Sequence, residues 1–99
     1  MRYIGFDMGD GESAVAAFEH GSLIEPVILP VCGSASLLSA VGLLGGEIVV
    51  GDRALTDALA QELSVRFKSR FTTDPASYED VVRFVRGVLS DLRQSGALH

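Results

Sequence analysis

The chain has 99 residues, 47% of them hydrophobic and 21% charged, and thirteen acids against eight bases give a net charge of -5. That length supports one compact domain with a single core and is too short for two lobes closing on a substrate, so any chemistry must use an open surface or a contact between chains. The acidic balance argues against nucleic acid as a partner, and the single cysteine, Cys32, excludes an intrachain disulfide or a cysteine-based metal cluster.

The start, MRYIGFDMGD, meets Asp7 before a signal-peptide core can form, so a cytoplasmic, unsecreted protein is expected. YIGFDM is a short apolar run bounded by glycine, the pattern of a buried strand. ESAVAAFEH, residues 12 to 20, is open to two readings: alanine favours a helix, whereas shortness and the following His-Gly-Ser turn fit a hairpin arm. LIEPVILPV reads as extended chain kept to an edge or to strand ends by Pro26 and Pro30. Residues 26 to 46 carry no charge, but the prolines, Gly33 and three serines interrupt the run, and its flanks are Glu25 and Glu47 where basic anchors would be expected. Buried strands joined by a turn explain it better than a membrane span.

SLLSAVGLLGGEIVVGD predicts two strands around the paired glycines Gly45 and Gly46, which tolerate positive φ in a hairpin turn. After Asp52 as N-cap, Leu55, Ala58, Leu59 and Leu63 share a helical face. SVRFKSRF alternates Val65, Phe67 and Phe71 with Arg66, Lys68 and Arg70, which predicts a short extended segment with one basic face. Asp74-Pro75, and Ser77 with Asp80, are start signals for a last helix. Its apolar stripe is Val81, Val82, Val85, Val88, Leu89 and Leu92, Glu79 and Arg83 form a surface pair, and Gly96 is the stop. The outline is α+β, a strand meander in a mixed or antiparallel sheet over residues 1 to 51, followed by two helices within 52 to 99.

The chemistry centres on FDMGDGESAV. Gly9, Gly11 and Ala14 satisfy a dinucleotide fingerprint, G-x-G-x-x-G/A, and an NAD-binding reading requires residues 12 to 20 to be helical with an acid ending the next strand. That strand ends at Val31, Cys32 and Gly33 without one. The other reading is a hairpin in which Gly9 and Gly11 let backbone N–H groups converge on an anion while Asp7 holds magnesium through water. An ordinary acid-and-glycine turn is the bland alternative.

IGFDMGDGESAV resembles the first phosphate loop of the actin, sugar kinase and DnaK-type chaperone ATPase superfamily, with Gly5, Asp7, Gly9 and Ser13 matching its frame. SLLSAVGLLGGEIVVGDRALTDAL is similar to the chaperones' strand, turn, strand, Val-Gly-Asp and helix. VRFKSRF falls where those proteins carry a phosphate-facing lysine. The resemblance implies a ribonuclease-H-like partial ATPase lobe that binds Mg-ATP phosphates through Asp7, Gly9, Asp10, Gly11, Glu12 and Ser13, with Lys68 as the one catalytic candidate. Alternation alone also explains Lys68, as part of a solvated basic face.

The sequence departs from the family in two respects. Asp10 and Gly11 replace hydroxyl residues, and two like charges a few ångströms apart cost on the order of 1 to 4 kcal/mol near a surface, so weak nucleotide affinity is expected. The second phosphate loop, the adenosine loop and the second lobe have no counterpart, so the chain corresponds to the opening portion of such an ATPase and is not expected to turn over ATP alone. The rival reading is a non-enzymatic homodimer that associates through exposed apolar surface. Cys32 is expected to be a small buried residue, and His20 and His99 lack metal-ligand spacing.

Overall fold

The computed structural model describes residues 2–19, 27–57 and 63–96. It is an α+β structure in which every strand pairing is antiparallel and divides between two sheets. Strands β1 (Arg2–Met8) and β2 (Glu12–Glu19) form a long hairpin, with register from Met8↔Ser13 to Arg2↔Glu19. On the far side of β2 lie β3 (Val27–Leu29) and the two-residue β4 (Leu37–Leu38). The chain then leaves for a second sheet, in which β5 (Ala40–Leu44) runs between β6 (Glu47–Val50) and β7 (Ser64–Val65).

Period-two alternation sets the faces of the hairpin. Ser13, Val15 and Ala17 are buried, and Ile4, Phe6 and Met8 pack against the same cluster. The opposite face carries Tyr3, Gly5, Asp7, Ala14, Ala16 and Phe18, with Tyr3 and Phe18 stacked at 5.6 Å between ring centroids. No described element covers that face, and Phe18 and Ile28 are exposed. The β5–β6 turn uses Gly45 and Gly46 at φ 59° and 83°, the doubly left-handed geometry expected of paired glycines.

Helix α1 (Asp52–Asp57) follows Gly51, and the last helix, α2 (Pro75–Gln94), crosses the second sheet. Asp74 is the N-cap of α2: its carboxylate accepts from the Ala76 N–H at 3.2 Å and from Ser77 Oγ at 2.8 Å, with Pro75 in the first turn. Gly96, at φ 83°, ends it. The Glu79–Arg83 pair forms at 4.0 Å on the exposed side and adds little. No helix among the described residues is long and apolar enough to cross a membrane.

Four sequence expectations change. The buried stripe of α2 is Ser77, Phe84, Val88 and Leu92, and Val82, Val85 and Leu89 are only half-buried. Phe84 sits between Phe6 (6.1 Å, edge to face) and Phe67 (5.2 Å), and such pairs contribute about 0.5–1.5 kcal/mol beyond burial. This aromatic contact rotates the helix away from the all-aliphatic face. Residues 64 to 71 are not one extended segment: β7 stops at Val65, Arg66 turns at φ 55°, and Lys68–Arg70 form a 3-10 turn. Only Phe67 of the three alternating apolar residues is buried, so the chain bends to seat it. Cys32 is exposed, not buried, in a tight turn closed by Val31 and Ser34. Finally, Leu55, expected on the apolar face of the helix after Asp52, is exposed, and Ala54 is the buried residue of α1. His20, His99, Pro26, Ala58 and Leu59 lie outside the described residues.

Gly87 brings α2 against β6, since a Cβ there would meet Val50 Cγ1 at 2.6 Å and Ile48 Cγ2 at 2.9 Å. Gly87→Ala raises helix propensity by about 1 kcal/mol, yet overpacking costs about 1–3 kcal/mol. A lower urea midpoint than wild type is expected, with an unchanged m-value.

Candidate functional site

The glycine turn leaves β1 and returns as a strand. Residues 12–19 are β2, so the helix that a dinucleotide fingerprint needs after Gly11 is not formed. Alternating burial decides this locally: Ser13, Val15 and Ala17 face the core and Ala14, Ala16 and Phe18 do not, a pattern with strand period despite the alanines.

Ser39 fixes the turn's conformation. Its hydroxyl donates to the Gly9 carbonyl at 2.7 Å and its N–H to the Gly11 carbonyl at 2.8 Å, and the buried Ser13 and Ser39 hydroxyls lie 2.7 Å apart. Gly9 N–H donates across the turn to Glu12 O at 2.9 Å. A Cβ on Gly9 would collide with that carbonyl oxygen, so only glycine fits, whereas Gly11 has open space around it. In a trans peptide the N–H points opposite to the preceding carbonyl. With the Gly9 carbonyl turned toward Ser39, the Asp10 N–H points away from it, whereas Glu12, whose carbonyl accepts from Gly9, directs its own N–H into the hairpin as well.

The candidate residues therefore separate. Asp7 is exposed on the open sheet face, in a shallow depression of about 420 Å³ with Gly5, Ala14, Ala16 and Ile28. Asp10 and Glu12 lie at the turn, where Glu12 Oε2 accepts from Ser36 Oγ at 3.1 Å. Ser13 is turned inward at 3% exposure and spends its hydroxyl on Ser39, so it is not brought to the outer surface. Asp10 Oδ1 accepts the N–H of Ser69 at 3.2 Å, 59 residues away in sequence. This contact sets the 3-10 turn, with exposed Lys68 and Arg70, beside the glycine turn. Phe67, fully buried against Phe84, anchors that basic turn from beneath.

Ser39 and Ser69 escaped sequence reasoning. Each acts through contacts distant in sequence, and serines in an apolar or basic run carry no local signal of it. Among the described residues no group of three or more His, Cys, Asp or Glu side chains could hold a metal ion by itself. Magnesium bound to phosphates keeps several waters and uses one or two carboxylates, a role open to an exposed Asp7.

Cys32 occupies the left-handed region at φ 52°, held there by donation of its N–H to Asp91 Oδ2 at 2.8 Å. Partial burial, and then the charge and hydrogen bond of Asp91, push the thiol pKa up against a smaller opposing effect of Arg53. It is a poor nucleophile at neutral pH. Asp91→Asn keeps an acceptor for the Cys32 N–H but removes the charge, so iodoacetamide should alkylate Cys32 faster in that variant at pH 8, as read by mass spectrometry.

Ser39→Ala leaves the Gly9 carbonyl and the Ser13 hydroxyl without their partner. Stability should fall by about 1–3 kcal/mol, and adding Ser13→Ala should recover part of the loss, because an unpartnered hydroxyl is then removed. Urea unfolding of the two variants measures both. No protein-family model and no curated protein matches the chain.

Proposed function

We propose that the hairpin over residues 7–13 is a phosphate-binding loop for Mg-ATP, on a partial lobe of ribonuclease-H-like type related to the N-terminal portion of actin-like and DnaK-like ATPases. One observation carries the reading: the Asp10 N–H, turned away from Ser39, belongs to the residue whose carboxylate holds the basic turn through Ser69. An outward amide and a neighbouring lysine are elements from which phosphate sites are built. Asp7 and Lys68 take the roles the resemblance gives them, with Asp7 positioning magnesium through water and Lys68 facing a phosphate. The bond from Ser69 to Asp10 offsets part of the repulsion that a second carboxylate brings to such a loop.

This reading assigns the hairpin phosphate binding and no turnover. Titrating ATP and magnesium into labelled protein should give saturable amide shifts at Asp10, Gly11 and Glu12. Lys68→Ala should weaken the affinity about tenfold, corresponding to ~1.4 kcal/mol for one charge-assisted contact. Asp7→Ala should remove the magnesium dependence; unchanged affinity in that variant would take Asp7 out of the site. Absence of any saturable shift at the turn would overturn the nucleotide reading while leaving the hairpin as found.

A further inference from the structure

The outer edge of β1 has a defined hydrogen-bonding pattern. The bond from Gly9 N–H to Glu12 O fixes which β1 residues face β2, because facing alternates along an antiparallel ladder. Tyr3, Gly5 and Asp7 direct their backbone groups at β2. Arg2, Ile4, Phe6 and Met8 direct theirs the other way, where no described strand pairs with them. The strand is seven residues long and carries no proline or bulge to protect the edge, and its two charges, Arg2 and Asp7, lie toward its ends.

Gly5 gives a second, independent observation. Glycine weakens a strand interior and marks close approach of another backbone. Nothing among the described residues requires it: its φ is not positive, and a Cβ would meet Phe18 Cε1 at an ordinary 3.6 Å.

We propose that β1 pairs antiparallel with β1 of a second copy, about a two-fold axis through Gly5, joining two four-stranded sheets into one. This goes beyond the nucleotide reading and does not depend on it. In that register Ile4 exchanges hydrogen bonds with Phe6 of the second copy, Arg2 does so with Met8, and every outward residue of β1 is paired. Gly5 meets Gly5 of the second copy at a non-hydrogen-bonded position, where Cα atoms come within about 4.5 Å. Charge selects this register over the one centred on Asp7, in which the two carboxylates would lie directly opposed. Centred on Gly5, each Asp7 faces Tyr3 of the other copy, and the two carboxylates stand about 14 Å apart along the strands. Centring on Phe6 leaves Arg2 unpaired and sets Asp7 opposite Gly5. A seven-residue strand is about 24 Å long, and with a side-chain layer of about 10 Å on each face it offers roughly 480 Å² per copy. Both copies together come close to the ~1,000 Å² of a specific interface.

Sedimentation velocity of the full chain without nucleotide, across a concentration series, should show a monomer converting to a mass of two chains. In a Cys32→Ser background, Gly5→Cys should oxidise to a covalent dimer, since the expected Cα separation lies within the disulfide range. Gly11→Cys, in open space at the turn, should form no covalent dimer under the same conditions. Ile4→Pro removes an outward donor without costing a bond to β2 and should yield a folded monomer. If that variant unfolds, the position of the disulfide trap decides. A monomer at every concentration would overturn the proposal, as would a dimer trapped at Gly11 and not at Gly5.

Discussion

The contact between the Ser13 and Ser39 hydroxyls is the point on which the arrangement depends. Ser39 stands between β4, the last strand on the first sheet, and β5, the first of the second. Its hydroxyl and N–H together hold both glycine carbonyls of the hairpin turn. Two buried hydroxyls satisfy one another and a carbonyl, so the polar crossing between sheets leaves no buried side-chain donor or acceptor without a partner among the described residues. Orientation of the turn and placement of the second sheet are thus consequences of one small network.

The core is organised around that crossing. Phe84 of α2 meets Phe6 of the first sheet and Phe67 beneath the basic turn, so one helix residue gathers contacts from both halves of the chain. Gly87, one turn further along, lets the helix approach β6 closely enough for Val88 and Leu92 to reach the same cluster. Packing on one side of the hairpin sheet is therefore extensive, while its other face is left with small residues and a stacked aromatic pair.

Local chemistry was legible in the sequence where a single residue type decides the backbone. Gly45-Gly46, Asp74-Pro75 and Gly96 mark a turn, a helix start and a helix stop at the positions where the structure has them. The α+β class and the two helices follow from the change of hydrophobic period. What local pattern could not supply depended on distant partners. Residues 12 to 20 were ambiguous because alanine favours helix, and burial against β1 and α2 overrides that preference. Alternation from Val65 to Phe71 indicated an extended segment, but the pocket beside Phe84 accepts one phenylalanine, and the chain bends around it. Cys32 sits in an apolar stretch yet lies on the surface, because Asp91 of α2 holds its turn outward.

Asp10 has a structural role that its charge alone does not suggest. A carboxylate at the glycine turn brings repulsion to any anion. In this chain the carboxylate accepts from the backbone of the basic turn, which fixes Lys68 and Arg70 near a loop they do not neighbour in sequence. The first 63 residues hold nine acids and two bases, and the remaining 36 hold four acids and six bases. Asp10 is where the acidic half is tied to the basic one. The residue that disfavours an anion locally is thus also the one that places cations beside it, and these opposing effects together set the charge balance of the turn.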